Sequence, residues 1–230
     1  MQPRFRFLRR IVPVAIIALV VAAFAVASMP GGPLGLAAVV AEGKTYAFLV
    51  ACEDYDITQF RKLDFARHDV TEFQQELLQA GVKPQNIVLM HEKQDRRFLP
   101  ERDKIWEELK LLLDGREADD TVIVAFAGHG VQFKGEKHSY FCPLDAKLVD
   151  RSKLIPISDP PLPKGQPASD APSSLDGLLE RCPARRKVLL VDACRNDPLS
   201  GVAKTRGGAE RVECVTRPQA EPVPEGILAI

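Results

Sequence analysis

Short, continuous apolar runs of strand length recur along this chain, separated by longer amphipathic segments. They cover Tyr46–Cys52, Asn86–His91, Thr121–Ala127 and Lys187–Val191. A strand that is apolar on both faces must be covered on both, which is typical of a parallel sheet enclosed by helices. The runs therefore predict an α/β fold with a mainly parallel sheet and right-handed crossover connections.

Three helices are predicted between these strands. Residues 64–80 carry an apolar stripe at helical spacing, and Gly81 is placed to end that helix. A second helix opens at Pro100, and a brief third one covers residues 174–181. A hairpin is expected around Gly135. The Pro-rich stretch from Ile155 to Pro172 is predicted to be a surface loop.

The N-terminal segment has the pattern of an export signal. Four arginines precede an apolar stretch from Ile11 to Ser28, and no charged residue follows until Glu42. This length suits either a signal peptide or a signal anchor, so both interpretations stay open for residues 1–41. The basic flank predicts that the globular body lies outside the cytoplasm, attached to the membrane through this segment if it is not cleaved.

Charge gives no reason to expect nucleic acid as a partner. The chain has 31 basic and 31 acidic residues, and four of the basic ones lie within the first 41 positions. The body is therefore mildly acidic, whereas proteins that bind nucleic acid usually carry a basic surface.

The five cysteines do not have the spacing of a metal site. No C-x-x-C pair occurs, so we expect no structural zinc and assign no metal ligands. An odd number leaves at least one thiol unpaired in an oxidising compartment, and Cys194 is the candidate. The other four are interpreted as small apolar or surface residues.

Two polar groups of residues follow the third and fourth predicted strands. The third strand finishes in Gly128-His129-Gly130, and the fourth finishes in a segment that contains Asp192 and Cys194. Because ligands meet such sheets at the carboxyl ends of the strands, we expect this thiol and imidazole to lie close together. Acyl transfer uses such a pair, with the thiolate attacking and the imidazole carrying the proton. The amides of Gly130 and Cys194 are the predicted donors to the oxyanion.

Each of these residues also has a plainer interpretation. A cysteine at a strand end is more often a small buried residue than a nucleophile, and a histidine between glycines is more often a turn residue than a base. Position alone leaves the two interpretations evenly balanced.

The motifs themselves resemble those of a known family. The segment from Lys44 to Pro198 is similar to the large-subunit portion of the caspase, metacaspase and paracaspase clan, in its bacterial branch. The resemblance rests on the following stretches: Tyr46–Val50, Leu63 through Asp69-Val70, Asp120–Gly130, Pro143–Asp145, and Val188–Arg195. It implies a three-layer α-β-α fold and a cysteine endopeptidase that acts on polypeptides.

The resemblance also assigns roles to individual residues. It implies that Cys194 is the nucleophile and His129 its partner, with no metal or organic cofactor in the chemistry, although calcium activates some metacaspases. Asp192 lies two residues before the nucleophile, on the same strand face, where a carboxylate favours a basic residue at the cleaved position. Metacaspases have a second acidic residue that maps onto Asp69; an exposed acid at a helix start is the alternative. We therefore expect cleavage after Arg or Lys.

The chain departs from the family in three places. Ala127 stands where metacaspases commonly have serine, and Ala66 where they often have cysteine. We expect a catalytic part at 42–198 and a polar loop at 199–225. Residues 226–230 are predicted to begin a further core strand. The third departure is therefore a fold that we expect to be incomplete at its C-terminus. A non-catalytic, membrane-tethered interaction module is the alternative function. No G-x-G-x-x-G, P-loop or G-x-S-x-G motif supports a nucleotide-binding domain or an α/β-hydrolase.

Overall fold

The computed structural model describes residues 43–58, 60–133, 138–158, 174–194 and 227–229. Seven strands within these ranges form one sheet. Their bounds are β1 Thr45–Ala51, β2 Ile87–Met90, β3 Thr121–Val131, β4 Tyr140–Cys142, β5 Ile155–Pro156, β6 Arg186–Cys194 and β7 Ile227–Ala229. The helices are α1 Ala66–Gln79, α2 Arg102–Leu113 and α3 Leu175–Arg181.

The sheet is mainly parallel, as predicted. Strand β3 pairs in parallel with β1 on one edge and β6 on the other, β2 extends the sheet beyond β1, and β7 pairs in parallel with β6. Among the described strands, the antiparallel pairs are β3 with β4 and β4 with β5, so β4 alone runs against the other strands. The pairing of β3 with β4 agrees with the expected hairpin, although Gly135 itself lies outside the described residues.

Helices cover both faces of the sheet, which gives the expected three layers. Because strand side chains alternate, one face of β1 and β3 presents residues such as Ala47 and Ala125 to α1, whereas the other presents Phe48 and Phe126 toward α2 and α3. The face of the sheet that packs against α1 is built largely of small alanine side chains: Ala47, Ala51, Ala125 and Ala127. This placement brings the start of α1 near the carboxyl ends of β3 and β6.

The ends of the first helix follow from its sequence. Its buried stripe consists of Ala66, Val70, Phe73 and Leu77, spaced three to four residues apart. Gly81 has a φ of 89° and donates its N–H to the Leu78 carbonyl at 3.0 Å, which ends the helix as predicted.

Three local predictions were wrong. Strand β3 continues through the Gly-His-Gly segment to Val131, because β4 supplies a partner for residues 129–131. Ile155–Pro156 is a short strand rather than loop, with proline tolerated where only one neighbouring strand is described. Strand β6 is only half-buried: of Lys187–Val191, Leu189 alone is fully enclosed.

None of the helices in the described ranges is long and apolar enough to cross a bilayer. The predicted export segment, residues 1–41, lies outside those ranges, as do residues 195–226.

Candidate active site

His129 lies in β3 with a cysteine beside it on each edge. In the antiparallel pairing with β4, its Cα partner is Cys142. In the parallel pairing with β6, its Cα partner is Cys194. The structure describes the backbone of Cys194, and that backbone is adjacent to His129 at the carboxyl end of both strands. The expected proximity of these two residues is therefore present in the strand register.

The imidazole of His129 is buried and anchored at one nitrogen. Its Nε2 lies 2.8 Å from the main-chain carbonyl oxygen of Arg61, and only 1% of the residue is exposed. The ring stacks on Phe60 with centroids 5.6 Å apart. Among the described residues, no group bonds Nδ1.

This anchoring selects the tautomer of the ring. A carbonyl oxygen only accepts, so Nε2 must carry the proton and Nδ1 must present a lone pair. Burial lowers the pKa of His129, the hydrogen bond to the Arg61 carbonyl partly offsets that effect, and the Arg61 charge lowers the pKa further. The balance favours a neutral imidazole whose Nδ1 can accept a proton.

The main chain of His129 is held by a tyrosine. Its N–H donates to the Tyr55 hydroxyl at 3.0 Å, and that hydroxyl donates to the Cys142 carbonyl at 2.8 Å. A Cβ at Gly128 would lie 2.7 Å from the same hydroxyl oxygen. The first glycine of the Gly-His-Gly segment therefore makes room for Tyr55.

Acidic side chains fix the loop that carries the Arg61 carbonyl. Buried Glu53 accepts from the Arg67 N–H at 2.8 Å at the start of α1, and its main-chain carbonyl accepts from the Leu63 N–H at 3.2 Å. Glu92 in turn accepts from the main-chain N–H groups of Glu53 and Asp54. Hydrogen bonds thus hold main-chain groups on both sides of Arg61, through Glu92 after β2 and through Glu53 at the start of α1.

Gly130, the predicted oxyanion donor, lies within β3 rather than in a turn. It is paired with Phe141 of β4, and a Cβ added to it would meet the Ala193 Cβ at 2.6 Å. The second glycine therefore allows close approach of β6. Its role in binding an oxyanion stays a prediction.

Of the two predicted pocket acids, Asp192 acts electrostatically on Asp69. Burial raises the pKa of Asp69 to about 6, and the charge of Asp192 is the next cause. Asp192 lies beside Ala127 in the strand register, on the face that α1 covers. Asp192 is exposed as a whole residue. The protein atoms around its carboxyl nevertheless remove enough water to raise the pKa of Asp192. A carboxylate whose ionisation is disfavoured by burial and by a second carboxylate lies where a cation would stabilise its charged form.

Three other cysteines are described. Cys52, Cys142 and Cys182 are buried, and none of them forms a disulfide within the described residues. Burial raises the pKa of the Cys52 thiol well above its ordinary value, which makes this thiol unreactive. Cys214 lies outside the described residues.

No metal ion has an evident place at this site. Within the ranges that the structure describes, no group of three or more His, Cys, Asp or Glu side chains is arranged to hold one. The described side chains thus form no cluster that would hold calcium, and calcium activation stays a prediction from the resemblance.

Sequence reasoning missed the groups that hold His129. The Arg61 anchor is a main-chain carbonyl, which every residue has, so no residue type marks it. Tyr55 and Phe60 lie after β1 at positions where aromatic residues gave no functional signal. Only the folded structure brings the Arg61 carbonyl to the imidazole and the Tyr55 hydroxyl to the main-chain N–H of His129.

The chain is similar to a known protein family and to a characterised relative. A family model described as the caspase domain of peptidase family C14 matches residues 44–229. A relative named metacaspase-1, from Yarrowia lipolytica (strain CLIB 122 / E 150), is 34% identical over 94 residues. That alignment covers 40% of this chain and 20% of the relative, so the chain matches about a fifth of the length of this curated protein. The match spans every described strand, both halves of the site included, and the chain belongs to the caspase-domain family, peptidase C14.

Proposed function

We propose that this chain is a cysteine endopeptidase in which Cys194 is the nucleophile and His129 its acid–base partner. The pairing of His129 with Cys194 across β3 and β6 is the observation that carries the proposal. Further support comes from the imidazole, because the bond from Nε2 to the Arg61 carbonyl leaves Nδ1 to exchange a proton with a thiol.

The proposed reaction proceeds in two halves. Nδ1 of His129 takes the Cys194 thiol proton, and the thiolate sulfur bonds to the scissile carbonyl carbon, whose π electrons move onto oxygen. The oxyanion then reforms the carbonyl while the amide C–N bond breaks, and the imidazolium gives its proton to the leaving amine. Water, deprotonated by His129, next displaces the sulfur from the thioester, and the thiol is restored.

We propose that the main-chain amides of Gly130 and Cys194 stabilise the oxyanion. Both residues belong to strands that meet beside His129, and preorganised amide donors are an effective source of such stabilisation.

We propose that Asp69 and Asp192 select Arg or Lys at the cleaved position. The raised pKa of Asp69, caused by burial and by Asp192, supports this assignment because a cationic side chain would relieve the repulsion between the two carboxyls. An acidic side chain in the same place would add a third negative charge.

The test is peptide hydrolysis by the 230-residue chain. Otherwise identical fluorogenic peptides would carry Arg, Lys or Asp before the reporter group, and initial rates would be compared. We expect cleavage of the Arg and Lys peptides, and a loss of about 10³-fold or more in Cys194→Ala and His129→Ala. Cys182→Ala is the matched control, because that thiol is buried away from the pair.

Two results would contradict the proposal in different ways. Preference for the Asp peptide would refute the role of Asp69 and Asp192 and leave the catalytic pair standing. Absence of cleavage for all peptides, with Cys194 also inert toward a peptide probe that alkylates catalytic thiols, would favour a non-catalytic interaction module that keeps the fold.

We also propose that the globular body is exported. The support is the arginine-flanked apolar segment within residues 1–41. A reporter enzyme that folds only outside the cytoplasm, fused after residue 43, should be active; an inactive reporter would refute export.

A further inference from the structure

The hydroxyl of Tyr55 joins two main-chain groups that belong to neighbouring strands. It accepts from the His129 N–H at 3.0 Å and donates to the Cys142 carbonyl at 2.8 Å. His129 and Cys142 are Cα partners in the antiparallel pairing of β3 with β4. A hydroxyl is able to donate and accept at once, so one atom satisfies both buried main-chain groups.

The surroundings leave this hydroxyl little freedom. Tyr55 is 6% exposed, and its ring lies 4.9 Å from the imidazole of His129 and 5.1 Å from the ring of Phe60, between centroids. Gly128 makes room for the oxygen, since a Cβ there would approach it to 2.7 Å. Burial raises the pKa of Tyr55 well above its ordinary value, so the hydroxyl keeps the proton that it donates.

His129 is consequently anchored at two separate points. Tyr55 holds its main-chain N–H, and the Arg61 carbonyl holds Nε2 of its ring. The first contact sets where the residue lies along β3, and the second sets how the ring is rotated. The direction in which Nδ1 is presented depends on both contacts.

We propose that Tyr55 is a positioning residue, whose hydroxyl places His129 so that Nδ1 of the imidazole is presented to the thiol of Cys194. Without the hydroxyl, the His129 N–H and the Cys142 carbonyl lose their shared partner. The main chain at His129 then shifts, and the imidazole shifts with it relative to β6. The inference rests on the proposed function only in taking Cys194 as the nucleophile, and it concerns thiolate formation rather than peptide cleavage.

The experiment measures alkylation of Cys194 by iodoacetamide as a function of pH, followed by mass analysis of the peptide that contains it. A thiol assisted by a neighbouring imidazole reacts at a pH well below the ordinary thiol pKa of about 8.5. We expect this behaviour in the unaltered chain and its loss in His129→Ala. In Tyr55→Phe, we expect the alkylation rate at neutral pH to fall about tenfold, as for one lost buried hydrogen bond.

Tyr46→Phe is the matched control. It also removes one hydroxyl and keeps the ring, but Tyr46 lies near the start of β1, where its ring faces the Arg116 guanidinium. Its alkylation profile should equal that of the unaltered chain. If the variants cleave the Arg peptide, Tyr55→Phe should lower kcat and leave KM unchanged.

Three outcomes distinguish the possibilities. A folded Tyr55→Phe with an unaltered alkylation profile overturns the positioning role alone. An ordinary thiol profile in the unaltered chain, equal to that of His129→Ala, overturns the catalytic pair and the positioning role together. If Tyr55→Phe does not fold, Gly128→Ala is the second variant, since its methyl group would meet the Tyr55 hydroxyl at 2.7 Å and the Phe141 ring at 2.9 Å. A folded Gly128→Ala with an unaltered alkylation profile would overturn the positioning role as well.

Discussion

The imidazole of His129 donates from Nε2 to the main-chain carbonyl oxygen of Arg61, 2.8 Å away, across 68 positions of sequence. The contact joins the loop after β1 to the carboxyl end of β3. A main-chain carbonyl here orients the ring, as a carboxylate does in the Ser-His-Asp triad. Because it is neutral, it fixes the ring without strongly raising the basicity of the imidazole.

The first prediction concerns the side chain of Arg61. Arg61→Ala keeps the main-chain carbonyl and removes a positive charge that lowers the pKa of His129. We expect kcat/KM to stay within about threefold, the effect of a modest change of charge near a base, while the acid limb of the pH profile moves upward. Lys62→Ala, on the adjacent exposed residue, is the control. A loss of activity as large as that of His129→Ala would show that the side chain itself is required.

A second prediction concerns stability at Asp69. In the folded chain its pKa is raised to about 6 from 3.8, so ionising it costs free energy once the pH exceeds the unfolded value. Asp69→Asn should therefore raise the free energy of unfolding at pH 7.5, by on the order of 1 kcal/mol because solvent screens this half-exposed group. The gain should shrink between pH 6 and pH 4. Chemical denaturation at these pH values would measure it, and a gain that persists at pH 4 would contradict the assignment.

A third prediction concerns the pH dependence of substrate affinity. Because Asp69 has a pKa of about 6, it becomes fully charged only as the pH rises through that value. KM for a peptide with Arg at the cleaved position should therefore fall between pH 5 and pH 7. A peptide with the uncharged isostere citrulline there should show no such fall. If KM changes with pH in the same way for both peptides, Asp69 does not recognise the basic side chain.

A fourth prediction concerns the support of the Arg61 loop. Glu53 is 3% exposed, accepts from the Arg67 N–H at 2.8 Å and contacts the Arg67 guanidinium at 3.4 Å. Glu53→Ala should lower the free energy of unfolding by about 2–4 kcal/mol, since it leaves buried partners unsatisfied. Glu53→Gln keeps one acceptor oxygen and should cost about half as much.

The control for this prediction is the neighbouring residue. Asp54 pairs with Lys62 at 2.7 Å in a largely exposed ion pair, so Asp54→Asn should change stability by less than about 1 kcal/mol. Equal effects of Glu53→Ala and Asp54→Asn in a denaturation experiment would contradict a special role for Glu53.

The sheet was predictable because its strands are continuous apolar runs. Tyr46–Cys52 and Thr121–Ala127 have a composition that only burial on both faces accounts for, and both lie in the parallel part of the sheet. From parallel strands it followed that His129 and Cys194 would come together. The predicted proximity of these two residues depended only on which strands they follow or end. The errors in strand length therefore did not affect it.

The errors came from tertiary pairing. Gly128-His129-Gly130 has the composition of a turn, yet β4 and β6 pair with it on opposite edges and keep it extended. Ile155–Pro156 begins a Pro-rich stretch, and its pairing with Tyr140 and Phe141 has no local signature. No pattern of residue types could predict the contact of His129 with Arg61, because every residue has a main-chain carbonyl.

The contact between β3 and β6 at Gly130 has a consequence for how this family varies. A Cβ at position 130 would lie 2.6 Å from the Ala193 Cβ, so the two positions share the room for one methyl group. Relatives that keep this strand register should therefore carry a side chain at one of these positions only with glycine at the other. We therefore expect the residue after the histidine and the residue before the cysteine to vary together, although 63 positions separate them.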